Sequence, residues 1–565
     1  MRRVVVVVLL ACTAFGVGVG AISVPSRSQA GIVSSQSEIA SKIGADVIRD
    51  GGNAIDAMVA TGFALEVTHP TAGNIGGGGF IVYRPANGEA VTYDFRETAP
   101  AKASATMWAP GGKYDPQLHH NSYLAVGVPG TVAGLHLAWR DQGKLPWRRL
   151  VEPAIALARD GFVVSDGLAR SLKGVQRSMS KYPASVAAYT KNGVPYEAGE
   201  VFKQPDLAKT LERIAANGPA GFYEGETAAL IEKEMLANGG IITKADLSNY
   251  KAKRRAPVKG TYRGYEIIAM PPPTSGGVTM IEALNIIEGY DLAKWGPNSA
   301  DTVHVMAEAM KRAYSERAQF LGDPDFNTNM PIERLISKAH ADELRKTISL
   351  KHMVPSAPAK FEWPHESDET TQVSIVDGNH NAASMTYTLE QGYGVKIVVP
   401  GAGFLLNNEM GDFNAAPGLT TKDGLIGTEP NLTVPGKRML SSMAPTILAK
   451  DGELFMVTGS PGGRTIINTT LETIVGVVDF KLNAQEAVDA PRFHHQWLPD
   501  EINYERTGFS PDTLRELEKR GHVLKQGGAQ GAAQVIIYNK TDNVLEGGTD
   551  RRVPDGAAYP VAAKK

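Results

Sequence analysis

Glu369-Thr370-Thr371-Gln372-Val373-Ser374-Ile375-Val376-Asp377-Gly378-Asn379-His380-Asn381 is the stretch whose reading decides the fold. Upstream of it, Lys351 to Glu369 carries Pro355, Pro358, Pro364 and several charges, with neither helical nor strand periodicity. That composition reads as loop. At Thr370 the text changes to a β-branched run, which predicts a strand. A strand that opens on a hydroxyl residue directly after a loop suits a chain that is cut there. The cut would leave Thr370 as a new N-terminus, its hydroxyl a nucleophile and its own amine the base. A free α-amine has an unperturbed pKa of about 7.7–8.0. It therefore works as a base near neutral pH without a histidine partner.

Asp377-Gly378-Asn379-His380-Asn381 is a turn cluster, and Ala382 to Thr388 reads as a second strand. Thr370 and Thr388 stand at equal distance from Asn379. A hairpin with an odd loop centred there sets the two threonines opposite each other. Thr388 would then hydrogen-bond the Thr370 hydroxyl or amine. It also reads as one strand threonine among many, and spacing alone leaves both readings open.

Working outward, Ile39, Ile43 and Val47 recur at helical spacing and end at Gly51, and Asn53 can cap a second helix over Ala54 to Val67. Gly76 to Gly79 lead into a strand at Phe80 to Tyr83. Helical text dominates from Thr131 to Leu247. Met270 to Gly277 reads as a rigid turn, and Asp301 to Phe320 as a long helix. Beyond Thr370 the character is mostly strands, with a helical stretch from Pro511 to Arg520. Helices and strands on both sides of Thr370 predict one interlocked α/β body.

The chain has 565 residues, 42% of them hydrophobic and 21% charged, with a formal net charge of -2. That balance is globular and argues against nucleic acid or an anionic membrane as partner. No internal stretch is long and apolar enough to span a bilayer. At the N-terminus, Arg2 and Arg3 precede an apolar run from Val4 to Phe15, the pattern of a secretory signal. Val19-Gly20-Ala21 and Ser28-Gln29-Ala30 both offer small residues for its removal, so residues 1–30 contain the signal and the cut falls within 21–30. The single cysteine, Cys12, lies inside that segment, leaving the mature chain without disulfides. Leu9-Leu10-Ala11-Cys12 also reads, less favourably, as a lipoprotein box. Either way the protein is expected outside the cytoplasm, periplasmic or secreted.

Other groups carry candidate chemistry. His494 and His495 are adjacent, so they face opposite sides of a strand, and no third ligand stands at metal-binding spacing. They read as structural. Thr458-Gly459-Ser460-Pro461-Gly462-Gly463 is neither a nucleophile elbow nor a phosphate loop. It is either a plain turn or one whose backbone N–H groups face an oxyanion. Glu409 and Asp412, with Glu390 and Ser441-Ser442, are either solvated groups or the two halves of a zwitterion site.

These segments together resemble the γ-glutamyltransferases of the N-terminal-nucleophile hydrolase superfamily. The resemblance is carried by Gly51-Gly52-Asn53-Ala54, Thr68-His69-Pro70, Asn74 to Phe80, Asp94-Phe95-Arg96-Glu97 and Pro129 to Gly134. It continues through Pro271-Pro272-Pro273, Gly322-Asp323-Pro324, Thr370-Thr371, Leu440 to Met443, Gly459 to Gly463 and Pro491 to His494. It implies a four-layer αββα fold built from two fragments, 31–369 and 370–565, made by self-cleavage between Glu369 and Thr370. It implies Thr370 as nucleophile, supported by Thr388. Arg96 falls where the family binds the substrate α-carboxylate, helped by Ser441 and Ser442. Glu390, Glu409 and Asp412 fall where the α-amino group is engaged, and Gly462 and Gly463 at the oxyanion hole. The implied substrates are glutathione and other γ-glutamyl compounds, with water or an amino acid or peptide amine as acceptor. No metal or organic cofactor is implied.

The chain departs from the family pattern at Gln372, often His; at Glu390, often Asn; at Gly411, often Asp; and at Met439, often Pro. Asp423 replaces a lid tyrosine within Pro417 to Pro435. The resemblance leaves room for a sister amidase, a cephalosporin acylase or poly-γ-glutamate depolymerase. From another class, it leaves room for a γ-glutamyl-peptide binding protein with an uncut chain.

Overall fold

The computed structural model describes residues 23–356, 369–418 and 428–562. The expected signal core, Cys12, the Val19-Gly20-Ala21 cleavage point and Asp423 lie outside these residues. One sheet has seven strands in the order Ala557–Pro560, Gly31–Ser35, Thr371–Asp377, Ala382–Thr388, Gly78–Arg84, Val91–Asp94 and Lys253–Arg255. The other also has seven, ordered Ser26–Ser28, Val544–Thr549, Gln534–Asn539, Glu453–Thr458, Thr446–Lys450, Tyr265–Ala269 and Val258–Tyr262. All neighbours in both are antiparallel.

The sheets stack face to face over an apolar layer in which Ile32, Phe80, Val82 and Val376 meet Ile268, Ile447, Val457 and Ile536. Helices cover both outer faces, giving the αββα layering expected from the resemblance. Glu38–Arg49, Ala54–Thr68, Thr131–Gln142 and Trp147–Asp160 bury their apolar sides with Val373, Ile375 and Met385. Gly276–Ile287, Ala300–Phe320 and Thr465–Val478 do the same with Ile267, Leu448, Met456 and Val535. The strand Thr371–Asp377 shows how one segment serves two interfaces. Val373 and Ile375 face the helices while Val376 faces the other sheet, the period of two that a pleated strand imposes.

Local chemistry explains most boundaries. Ser37 caps Glu38–Arg49. Asn53 caps Ala54–Thr68 in a capping box with Asp56, as the sequence predicts. The helices Ala300–Phe320 and Pro511–Lys519 stand where the periodicity places them. Two readings need correcting. Met270 to Gly277 is a turn only to Ser275, because Gly276 already opens the helix Gly276–Ile287. A side chain at Gly276 would sit 2.2 Å from the Met443 carbonyl, so only glycine permits this close approach. Thr465–Val478 is a helix inside text expected to be mostly strands. Its β-branched residues favour a strand, but the segment is buried on nearly all sides, and tertiary packing overrides that preference. Among the described residues no helix is long and apolar enough to cross a membrane.

Asn53→Ala removes the cap and half of its box. It is expected to cost about 1 kcal/mol, read as a lower urea midpoint; Asn53→Asp keeps the capping oxygen but loses the donor that Asn53 offers the Gln142 carbonyl at 2.6 Å, so it should also fall below wild type.

Candidate active site

The hairpin register runs Gln372↔Thr386, Thr371↔Tyr387. Continued by one residue, it sets Thr370 opposite Thr388. The chain is continuous through Glu369 and Thr370. The Thr370 hydroxyl donates to the Glu369 carbonyl oxygen at 2.7 Å, and the Thr388 hydroxyl donates to the same oxygen at 2.9 Å. Thr388 thus bonds the carbonyl next to Thr370, where the sequence reading has it bond the Thr370 hydroxyl or amine. The backbone N–H of Glu390 donates to Thr388 Oγ1 at 3.0 Å, which helps turn the threonine's own hydrogen toward Glu369. The chain bends sharply to make that contact: Glu390 has φ 78°, an uncommon conformation for a residue with a side chain.

Beside Thr370 lies a narrow cleft lined by Arg96, Thr388, Glu390, Glu409, Asp412, Ser441, Ser442 and Gly463. Residues spread from 96 to 463 are therefore brought around one cleft. Gly462 is not among its lining residues. It acts one step back: with φ 127° at Gly462 and 53° at Gly463, the turn swings from the strand Glu453–Thr458 into the N-terminus of Thr465–Val478. A side chain at Gly462 would strike Thr465 Oγ1 at 2.4 Å. Gly463 and Ile466 then present the positive end of that helix to the cleft.

The electrostatics centre on Arg96, which is fully buried. It donates to Glu409 and Asp412 through separate guanidinium nitrogens, and Glu97 stands 3.8 Å away. One cation faces three carboxylates. Burial pushes the Glu97 and Glu409 carboxyls upward, and Arg96 pulls them back. Glu409 Oε2 and both Glu97 oxygens have no hydrogen-bond partner among the described residues. Such a cluster has hydrogen-bond acceptors to spare, the complement of an ammonium group. Arg96 is consequently not an idle anion receptor, since its own acids already occupy both of its terminal nitrogens.

The serine pair supplies the opposite polarity. Ser441 Oγ accepts from the Met443 N–H at 3.1 Å, and Ser442 Oγ accepts from Arg317 Nη2 at 2.9 Å. Arg317 is donor-only, so the Ser442 hydrogen must point elsewhere. Arg317 Nε also donates to Ser275 Oγ at 2.6 Å, and Ser275 holds the Ser441 carbonyl through its N–H at 2.8 Å and hydroxyl at 2.7 Å. The motif reading missed Arg317 and Ser275. The available signal is that Arg317 follows Met310, Ala313 and Tyr314 at helical spacing, which puts a charge on an apolar face.

His494 and His495 point to different neighbours, as adjacent residues on a strand should. His494 contacts Asn468 at 2.6 Å and Gln496 at 2.8 Å. His495 contacts Asp500 at 3.1 Å, and burial lowers its pKa.

Residues 40–560 match the family model described as Gamma-glutamyltranspeptidase. The chain belongs to the gamma-glutamyltranspeptidase family. It is 47% identical over 536 residues to the glutathione hydrolase proenzyme of Escherichia coli (strain K12), spanning 94% of this chain and 92% of that one. Its fold is similar to a cephalosporin acylase from Bacillus halodurans, with TM-score 0.83, 28% identity, and 96% and 97% of the two chains covered. A Helicobacter pylori gamma-glutamyltranspeptidase chain matches at TM-score 0.55 and 48% identity over 56% of this chain and 91% of that chain. The γ-glutamyltranspeptidase-family chain is thus an enzyme of hydrolase and transferase type on the N-terminal-nucleophile fold.

Glu97 contributes stability in its protonated form. Its folded pKa lies above the unfolded value, so that contribution is full below the unfolded pKa and is lost as pH rises. Glu97→Gln is therefore expected to melt higher than wild type in mildly alkaline buffer. The gap should close as pH falls toward the ordinary glutamate value, about 4.3.

Proposed function

We propose that this enzyme is a γ-glutamyltransferase and glutathione hydrolase that matures by cutting its own chain between Glu369 and Thr370. The observation that carries the reading is the pair of hydroxyls, Thr370 and Thr388, on the Glu369 carbonyl at the edge of a cleft with one acidic and one donor-rich wall. In maturation, Thr370 Oγ1 attacks the Glu369 carbonyl carbon and its proton passes to the amide nitrogen. The C–N bond breaks, leaving an ester on Oγ1 and a free α-amine on Thr370. Water then hydrolyses the ester and releases the Glu369 carboxylate. The products are a large subunit ending at Glu369 and a small subunit, 370–565, which stay together because both sheets contain strands from each.

In turnover the new α-amine takes the Thr370 hydroxyl proton, and Oγ1 attacks the γ-carbonyl of glutathione or another γ-glutamyl amide. The Gly462–Gly463 turn stabilises the oxyanion. The protonated amine returns its proton to the departing amine. Water, or the amine of an amino acid or peptide, then resolves the γ-glutamyl ester. Glu409, Asp412 and Glu390 hold the substrate α-ammonium. Ser441 and Ser442 hold its α-carboxylate, and Arg96 joins them by exchanging one of its bonds to Glu409 or Asp412 for one to the substrate. Residues 1–30 carry the export signal, and the protein works in the periplasm or is secreted. Ser26–Ser28 forms an edge strand with Val544–Thr549, which favours removal after Ala21 over removal after Ala30. Anchoring through Cys12 is the less favoured alternative.

A denaturing gel with N-terminal sequencing tests the maturation. Two fragments are expected, the smaller beginning Thr-Thr-Gln-Val, and Thr370→Ala should stay uncut and inactive. An active wild-type enzyme that remains one full-length band refutes it.

The fold likeness to a cephalosporin acylase makes an acylase the second reading. A glutaryl group lacks the α-ammonium, so it would leave the acids around Arg96 uncompensated. γ-Glutamyl-anilide turnover is expected to exceed glutaryl-anilide turnover by roughly 10–100-fold, as for one charge-assisted contact of about 1.5–3 kcal/mol. Preference for the glutaryl compound reverses the assignment.

A further inference from the structure

Away from the cleft, three helices of the outer layer meet: Gly276–Ile287, Ala300–Phe320 and Lys338–Lys346. Each contributes one side chain to a common point, Glu282, Glu316 and His340, with one donor atom from each lying within 4.8 Å of the other two. We propose that Glu282, Glu316 and His340 bind a divalent transition-metal ion that ties these helices together.

Glu282 carries the argument. It is 1% exposed, yet its Oε1 has no hydrogen-bond partner among the described residues. A buried carboxylate without compensation is costly, so it must acquire a proton or a cation. Burial raises the proton affinity of Glu282, and its neighbour Glu316, a second carboxylate, raises it further. His340 Nε2 lies 2.6 Å from Glu316 Oε2, so imidazole and carboxylate are already within the span a single ion bridges. Arg334 Nη1 approaches Glu316 Oε1 at 3.4 Å and His340 Nε2 at 3.3 Å. The Arg334 side chain is 43% exposed and can swing into solvent to make room.

The donor set selects the ion. Two carboxylates and one imidazole suit Zn²⁺, Co²⁺ or Mn²⁺; an all-oxygen shell would suit Ca²⁺, and thiolates would suit Cu⁺. Glu316 and His340 are partly exposed, at 16% and 14%, which gives the ion a route in and a water for its fourth position. The role is structural. Glu316 adjoins Arg317, which holds Ser442, and Glu282 lies seven residues, about 10 Å, along its helix from Ser275. The ion would brace the two helices that brace the serine pair.

The test uses mature enzyme stripped with EDTA and titrated with CoCl₂. Visible d–d absorption saturating at one ion per chain is expected, and ZnCl₂ should raise Tm. Glu282→Gln, Glu316→Gln and His340→Gln should each weaken cobalt binding by about tenfold or more. Thr370→Ala and Asp412→Asn should keep it, which separates this site from the cleft. The wild-type titration needs no variant to fold. Absence of the band in wild type, or its persistence in all three variants, overturns the proposal. So does a result in which ZnCl₂ leaves Tm unchanged while Glu282→Gln alone raises it, because the carboxyl pair then holds a proton.

Discussion

Everything at the Thr370 site depends on the register between Thr371–Asp377 and Ala382–Thr388. A slip of one residue would turn every side chain of the strand to the opposite face. Here both faces are buried, one against helices and one against the second sheet, so neither face tolerates the exchange. That double burial is what lets two threonines, eighteen positions apart along the chain, converge on one carbonyl oxygen. The same strand pairs with Gly31–Ser35 on its other side, so the segment before Thr370 cannot fold apart from the segment after it.

The cleft extends this mutual dependence to electrostatics. Arg96 comes from the part of the chain before Thr370, while Glu409, Asp412 and the serine pair come after it. Neither side is stable alone: a lone buried guanidinium or a lone group of buried carboxylates carries a desolvation cost that only the other repays. Arg317, again from before Thr370, fixes Ser442 as a donor. The polarity of the cleft, acids toward one end and hydroxyl hydrogens toward the other, is therefore a property of the assembled layers and of no single segment.

This explains which features were legible in the sequence. The hairpin and its centre at Asn379 follow from period-two text and a turn cluster, both local. The caps at Ser37 and Asn53 are local too, although only Asn53 was singled out. The fold class follows from the order of elements and from motifs in sequence. The helix Thr465–Val478 was not legible, because its β-branched composition favours a strand and only burial on all sides makes it helical. The engagement of Arg96 by Glu409 and Asp412 was not legible either. Motif matching assigns each residue to the substrate and says nothing of how the residues satisfy one another when the cleft is empty. Ser275 was hidden inside a turn, and Arg317 inside a helix.

The departures from the family pattern can be read through their neighbours. Gln372 lies on the strand Thr371–Asp377 itself, its amide donating to Ser384 at 2.8 Å and accepting from Thr386 at 2.5 Å. Every member of that network is neutral, so it keeps one charge state as pH changes. A histidine there would add a titrating group two residues from Thr370. Gly459 passes so close that a side chain on it would fall 2.4 Å from the Gln372 amide oxygen, which ties the glycine of one turn to the glutamine of another strand. Gly411 is matched in the same way: a Cβ there would lie 2.4 Å from His120 Nδ1, so an aspartate would require the His120 ring to withdraw. Met439 packs in the cluster with Trp108, Met410 and Phe413 and offers its carbonyl to Arg96 Nε at 3.3 Å. These changes lie around the cleft and leave the Thr370–Thr388 pair and the acids on Arg96 in place. The departures at Gln372, Gly411 and Met439 alter what supports the site, whereas Glu390 places an added carboxyl on the cleft itself.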